Sequence, residues 1–355
     1  MGNIRLTAVV AGLLVIGSFA VPIWAKYGGG TGEPNDPYLI YNANQMNTIG
    51  LNQGDWNKCF KLMADIDLGE YEDQEFNIIG TDPDNPFTGI FDGNDHRISN
   101  LNYFSTAIDY IGLFGYVSGE NAEIKSLRLI DPNVDAGTGD YVGSLVGYLS
   151  SGTVINCSVQ GGSVKGVNRV GGLAGSNSSG RITNCSATGN VAGDYDVGGL
   201  AGSNPSGTIT NCWATTTTRG THYIGGLVGR NYGAITYSYA SGIVDGDYLV
   251  GGLVGSNGGS IVNCYAAGPV TGAEDTGGLT GSEWGAHNIN SYWDIETSGR
   301  AISAGGEGKT TNPAVYFRGT WREQAPKHRW LSDIDVCSST RRQYRRFGKP
   351  RRDGR

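Results

Sequence analysis

Groups that titrate near neutral pH are few in this 355-residue chain: His96, His222, His287 and His328. None stands in a His-Glu-x-x-His pattern, and no Cys-x-x-Cys occurs, so the zinc-peptidase motif and a structural zinc site are both without support. Asp65-Ile66-Asp67 sets two carboxylates on one face of a strand, the start of a calcium site, although acids in turns more often simply face water. Glycosidase chemistry needs two carboxylates about 5–9 Å apart, which only folding would bring together. No cofactor is expected, with calcium at Asp65 and Asp67 as the single exception.

A different set of polar and aromatic residues recurs at a fixed phase. Asp109, Tyr110, Asp140, Tyr141, Asn168, Tyr195, Asp196, His222, Tyr223, Tyr248, Glu274 and Asp275 fall in or beside one slot, just ahead of a Gly-Leu core. They predict an acidic and aromatic stripe along one edge, and aromatic rings interleaved with hydrogen-bonding groups suit glycan or protein recognition. The candidate ligand residues are Asp140, Tyr141, Tyr195, Asp196, His222, Tyr223, Tyr248 and Asp275. The competing reading is a solvent-facing corner where tyrosines stack without a ligand.

The elements that would position this stripe follow from the repeat. Leu113, Leu145, Leu173, Leu200, Leu227, Leu253 and Leu279 each centre a Gly-Leu-x-Gly core, with Ser144 in place of the first Gly at Leu145, at spacings of 32, 28, 27, 27, 26 and 26 residues. An Asn-Cys or Asn-Cys-like pair follows each of several cores: Asn156-Cys157, Asn184-Cys185, Asn211-Cys212 and Asn263-Cys264, with Tyr237-Ser238 in the same phase. A third short β-prone piece, such as Gly189 to Gly193 or Gly242 to Gly246, completes the unit. Three strands this short cannot bury an apolar face alone, so successive units must stack. Pairing strand on strand at about 4.8 Å places like residues over one another in a shared interior. Gly, Thr and Val at this density disfavour helix, and a propeller blade would need about 40 residues.

The fold class expected is therefore all-β: a right-handed parallel β-helix of about seven coils with irregular N-terminal capping coils. In it Leu145, Leu173, Leu200, Leu227, Leu253 and Leu279 form one column. Cys157, Cys185, Cys212 and Cys264 form a second, read as buried thiols because parallel side chains give poor disulfide geometry. Asn156, Asn184, Asn211 and Asn263 form a third, and Asn177, Asn204, Asn231 and Asn257 a ladder at the turns, with amides bonded along the axis. Glycines are expected at the corners, where φ is positive. Asn42 to Ile49 predicts one short capping helix, and the pieces around Phe60, Phe76 and Ile90 predict the first irregular rungs.

The Gly-Leu-x-Gly cores, the Asn-Cys-aromatic follow-up and the leader Asn35-Asp36-Pro37-Tyr38-Leu39-Ile40, with Phe91-Asp92-Gly93-Asn94 and Ser99-Asn100-Leu101, resemble bacterial GLUG-motif proteins over roughly residues 28–310. That resemblance implies a secreted or surface β-helix of the kind found in adhesin-like proteins and beside the catalytic domain of immunoglobulin-A-cleaving metallopeptidases. It brings no catalytic residue with it.

Net charge is −7, but residues 318–355 hold 12 Lys and Arg against 4 Asp and Glu, which leaves the rest of the chain at −15. Nucleic-acid binding by an acidic body is excluded, because phosphate contacts need clustered Lys and Arg. The organisation expected is a signal peptide over 1–25, a cap with irregular coils over 26–104, the repeat solenoid over 105–310 and a basic, disordered tail over 311–355. Export to the surface or medium follows, with no membrane contact beyond the leader and a monomeric state. The function expected is a non-catalytic scaffold for adhesion or for binding an extracellular glycan or protein surface. The alternative is a polysaccharide-acting enzyme like the pectate-lyase-type β-helices. It is weakened because Arg169, Arg181, Arg219 and Arg230 occur singly and out of phase. An ice-binding solenoid would need a flat Thr array, and Thr215 to Thr218 is a local run.

Overall fold

A computed structural model describes residues 26–310; the leader expected over 1–25 and the basic tail over 311–355 lie outside the described residues. The chain winds through three parallel sheets of seven, ten and nineteen strands. One coil shows the path. Ala174–Asn177 lies in the seven-stranded sheet, Arg181–Thr183 in the ten-stranded sheet, and Ser186–Ala192 and Tyr195–Gly198 in the nineteen-stranded sheet. The next coil repeats it in register, with Ala174 against Ala201, Ile182 against Ile209, Ala187 against Ala214 and Val197 against Ile224. The result is an all-β solenoid of about nine turns. The seven cores supply the seven-stranded sheet, and the irregular N-terminal coils bring the total to about nine turns against the seven expected from the repeats.

The leucines are piled along the axis. The Leu173 N–H donates to the Leu200 carbonyl at 2.9 Å, Leu200 to Leu227 at 2.9 Å and Leu227 to Leu253 at 2.9 Å, and none of the four is exposed. Ile124, Val154, Ile182, Ile209, Ile235 and Ile261 make a second dry column from the ten-stranded sheet. Alternation along each strand sends every second residue inward, so Thr216 and Thr218 are buried while Thr215 is exposed, and the Thr run does not form a face.

The corners meet the sequence expectation only in part: Gly152, Gly161 and Gly162 have positive φ, but at the corner between the second and third sheets it falls on non-glycine residues, with Asn156, Asn184, Asn211, Tyr237 and Asn263 all between 50° and 55°. Asn is among the few residues that tolerate this conformation. The Gly-Gly-Leu glycines have another cause, close approach between coils. A Cβ on Gly199 would stand 2.1 Å from the Gly226 carbonyl oxygen of the next coil, and one on Gly198 2.0 Å from the Ala201 carbonyl oxygen within its own turn.

The corner also explains why Cys and Ser interchange. The residue after the left-handed corner points its side chain inward and takes the N–H of its equivalent in the previous coil. The Cys185 N–H donates to Cys212 Sγ at 3.4 Å, that of Cys212 to Ser238 Oγ at 3.1 Å, and that of Cys264 to Ser291 Oγ at 3.2 Å. Each thiol or hydroxyl then donates to the carbonyl two residues back, as Cys212 does to Thr210 at 3.3 Å and Ser238 to Thr236 at 2.8 Å. A small side chain with one donor and one acceptor fills this role, so Cys or Ser serves. All five cysteines among the described residues are buried and free.

At the N-terminal end the helix Ala43–Leu51 is capped by Asn42, whose side chain accepts from the Gln45 N–H, while Gln45 Oε1 accepts from the Tyr41 N–H. Met46 and Ile49 are fully buried, and Trp56 Nε1 donates to the Ile49 carbonyl at 2.8 Å. Rungs Cys59–Leu62 and Ile90–Asp92 continue from there. Around Phe76 the expected strand is instead a single bridge, from Ile79 to Phe114.

Candidate functional site

The predicted stripe divides into two adjacent columns with different fates. Asn168, Tyr195, His222, Tyr248 and Glu274 are paired in register on successive strands of the nineteen-stranded sheet. The residue after each has positive φ: Arg169 at 56°, Asp196 at 54°, Tyr223 at 61°, Leu249 at 58° and Asp275 at 48°, as does Tyr141 at 61°. A left-handed residue breaks the in-and-out alternation of a strand, so the two columns point differently.

In the first column the rings of Tyr195 and His222 stack at 4.8 Å and 12°, and those of His222 and Tyr248 at 4.8 Å and 16°. Tyr195 is 43% exposed and Tyr248 39%, and His222 Nδ1 is shielded without a hydrogen-bond partner. Faces of the middle ring are covered on both sides, so edges and hydroxyls face outward. Exposed carboxylates flank the stack: Asp194 and Asp247 precede Tyr195 and Tyr248, and Glu274 and Asp275 stand on the following coil. No ion pair engages these four acids among the described residues. Asp140 closes the other end, accepting from Asn168 Nδ2 at 2.7 Å while its own N–H donates to Asp109.

The second column is sealed, which corrects the expectation for Asp196. It is 2% exposed, and its carboxylate takes Arg230 Nε at 2.8 Å and Arg230 Nη2 at 2.5 Å, with Arg169 Nε at 3.9 Å. Arg230 lies 4.5 Å over the Tyr223 ring and Arg169 4.7 Å over Tyr141. Tyr141 also stacks on Tyr110 at 5.0 Å and meets Tyr148 edge-on at 5.1 Å. An acid this buried must be paired, and two guanidiniums on aromatic faces pair it. Asp196, Tyr141 and Tyr223 are thus spent on one another, while Asp275, exposed at the end of the same column, is not.

Sequence reasoning missed the two arginines. Arg169 shares the phase of Asp196, and Arg230 sits in register with Ser203 and Ser256 on the seven-stranded sheet, opposite that column. Aligning coils position by position would have found Arg169, one period ahead of Asp196, but not Arg230, whose pairing crosses columns.

The calcium expectation meets occupied carboxylates. Asp65 accepts from Arg97 Nε at 2.8 Å and lies 3.2 Å from His96 Nδ1, while Asp67 accepts from Asn100 Nδ2 at 2.8 Å and the Gly69 N–H at 2.9 Å. Hydrogen bonds to Arg97 hold Asp65 below the usual carboxylate range, and those to Asn100 and Gly69 do the same for Asp67. Both acids are turned to local partners. Among the described residues no three His, Cys, Asp or Glu side chains converge on a point, and no helix is long and apolar enough to cross a membrane.

With this geometry in hand, comparison with known proteins places the repeats. The family model for the GLUG motif matches residues 166–192, 220–245 and 246–271. These are GLUG repeats. The three matched units contain Asn168, His222 and Tyr248, one member each of the first column. Halomucin of Haloquadratum walsbyi is 35% identical over 124 residues, 34% of this chain and 1% of that protein. A Gly-rich protein of Evansella cellulosilytica, named provisionally as a membrane protein, is 38% identical over 145 residues, 38% of this chain and 16% of its own length. The chain thus spans a small part of these curated relatives. A Bacteroides ovatus structure, assigned provisionally as an immunoglobulin A1 protease, overlays with a TM-score of 0.57 at 22% identity, covering 80% of this chain and 87% of that one. At that identity the likeness is one of fold.

Proposed function

We propose that this GLUG-repeat solenoid is a non-catalytic, secreted or surface-displayed scaffold that engages an extracellular protein through its acidic aromatic edge. The observation that carries the reading is the Tyr195, His222, Tyr248 stack standing exposed between unpaired Asp194, Asp247, Glu274 and Asp275. Tyrosine hydroxyls and ring edges with carboxylates around them fit a basic protein patch better than a sugar ring, which needs an open aromatic face. A relative named as a membrane protein and a fold neighbour named for an immunoglobulin-cleaving activity support display outside the cytoplasm. The buried acid of the stripe, Asp196, is neutralised by Arg230 and Arg169, so it supports no acid-base role.

The test is surface plasmon resonance of the purified chain over immobilised matrix proteins and lysine-rich peptides at low and high salt. Binding that weakens with salt, and about tenfold more when Asp247, Glu274 and Asp275 become amides, is the expected result. Release of unsaturated uronic acid from polygalacturonate, lost on the same substitutions, would instead make the protein an enzyme.

A further inference from the structure

The corner between the seven- and ten-stranded sheets carries the two most exposed aromatic rings among the described residues, Tyr232 at 55% and Trp284 at 73%. Equivalent backbone positions place them. Tyr232, Gly258 and Trp284 stand on three successive coils, and the N–H of each donates to the carbonyl of an Asn one coil back, Asn204, Asn231 and Asn257, at 2.9, 2.7 and 2.9 Å. Strand register agrees, with Asn231 against Asn257 and Asn257 against Glu283. Tyr232 and Trp284 are thus two coils apart, about 10 Å along the axis. Unlike the tyrosines of the acidic edge, neither stacks on another ring or carries a cation over its face among the described residues.

Gly258 shows that this arrangement is built. Its φ is not left-handed, and its counterparts one coil either way are a tyrosine and a tryptophan, so the backbone here accepts a side chain. What excludes one is the Tyr232 ring: a Cβ on Gly258 would stand 2.6 Å from Tyr232 Cδ1 and 2.7 Å from Cε1. The ring therefore leans along the axis toward Trp284, its Cδ1–Cε1 edge seated on the glycine and no ring or cation on either face.

The surroundings are polar. Corner segments 231–234, 257–260 and 283–287 hold one carboxylate, that of half-buried Glu283, which is bonded to Asn288, and Arg230 beside them is spent on Asp196. Ser256 and Ser282, hydrogen-bonded to each other at 2.9 Å, flank the rings on the seven-stranded side, and Ser260 and exposed His287 flank them on the ten-stranded side. A basic peptide finds no unpaired carboxylate here. An apolar peptide finds two rings set among Gly and Ser in place of a continuous apolar floor. Sugar units fit both features, since each presents an apolar C–H face for a ring and hydroxyls for the serines around it.

We infer that Tyr232 and Trp284 form a binding site for a neutral linear glycan that runs along the solenoid axis across Gly258. Two sugar units rest their C–H faces against the two rings, and their hydroxyls bond the flanking serines and His287. A polyanion is repelled by the acidic body, and a basic protein is drawn to the acidic edge. The site lies on a different corner from that edge and stands or falls without it.

Affinity gel electrophoresis of the intact chain tests it, with hydroxyethylcellulose, galactomannan and mixed-linkage β-glucan as neutral probes and polygalacturonate as the anionic one. At least one neutral polymer is expected to retard the wild type. Trp284→Ala should weaken retardation about tenfold and Tyr232→Ala several-fold, at unchanged thermal midpoints because both side chains are exposed. Gly258→Ala keeps both rings but unseats Tyr232, and should also cost several-fold, which would not follow if Trp284 bound alone. Tyr195→Ala/Tyr248→Ala should retain all of the binding. The inference is overturned if no neutral polymer retards the folded wild type, if Trp284→Ala and Tyr232→Ala both migrate like wild type, if polygalacturonate retards equally, or if the Tyr195→Ala/Tyr248→Ala variant is the one that loses binding.

Discussion

Tyr195 and Asp196 are neighbours in the chain, yet one is 43% exposed and the other 2%. The columns they head differ in the same way over several coils. Stacked Tyr195, His222 and Tyr248 present edges to water, while Arg169, Asp196, Tyr223 and Arg230 close over one another. A single left-handed residue per coil makes the difference, since it turns its side chain off the strand's alternation and back over the seven-stranded sheet. The sequence type at that position then decides what is built: a charge buried there, as Asp196 is, must find a counter-charge, and a ring one position earlier need not find anything. Sealed columns carry stability, and open ones are left for partners.

The contrast is sharpest at Asp196. Asp196→Ala strands two guanidiniums under aromatic rings, and breaking such a pair costs about 3–5 kcal/mol. Side-chain exposures of 34% for Arg169 and 31% for Arg230 let both partly rehydrate, which argues for the lower end, about 3 kcal/mol. Urea unfolding of Asp196→Ala beside Tyr195→Ala checks it, with the alanine at 195 expected to cost about 1 kcal/mol or less. Equal losses at both positions would erase the distinction between the columns.

The thiol column extends the sealed class. Burial pushes Cys264 up to about 12 and raises Cys157 and Cys212 well above the ordinary thiol range. A thiol whose folded pKa exceeds its unfolded value of about 8.5 keeps its full contribution below that pH and loses it as pH rises toward the folded value, at about 1.4 kcal/mol per pH unit per thiol. Stability should therefore fall steadily from about pH 8.5 upward, and Cys264→Ser, which keeps the donor and acceptor, should flatten part of the slope. Denaturation midpoints across that range measure it. A native protein whose cysteines react with an aromatic disulfide reagent at pH 8 as fast as the unfolded chain would refute the burial.

Most of the solenoid was legible because its period was. A leucine every 26 to 28 residues over the later coils fixes coil length, and the alternation around Ile182 and Ile209 fixes which face is inside. The capping helix was legible from Asn42 and the spacing of Met46 and Ile49. What the sequence hid is conformational. Nothing in the letters says that positive φ sits on Asn184 and Tyr223 while Gly198 is needed for close contact, since glycine suits either use and tyrosine rarely adopts positive φ. The candidate site suffered from the same gap, because reading Tyr195 and Asp196 as one slot merged two columns that the corner separates. Arg230 escaped because its partner lies 34 residues away, off the repeat length.

The smallest effect bears on whether the open column is built or incidental. His222 has a ring on either side at 4.8 Å, and an aromatic pair contributes about 0.5–1.5 kcal/mol beyond the area it buries. His222→Ala removes both pairs and should cost about 1–2 kcal/mol, whereas His222→Phe keeps both and should stay within about 0.5 kcal/mol of wild type. Shielded Nδ1 has no partner to lose in either variant, so the difference between them isolates ring contact from hydrogen bonding. If alanine and phenylalanine are equally well tolerated, the rings are parallel only because the backbone register makes them so. If alanine costs what the pairs predict, the stack holds Tyr195 and Tyr248 in a fixed presentation before any partner arrives, and affinity at the acidic edge should fall in His222→Ala through lost preorganisation with no contact atom removed.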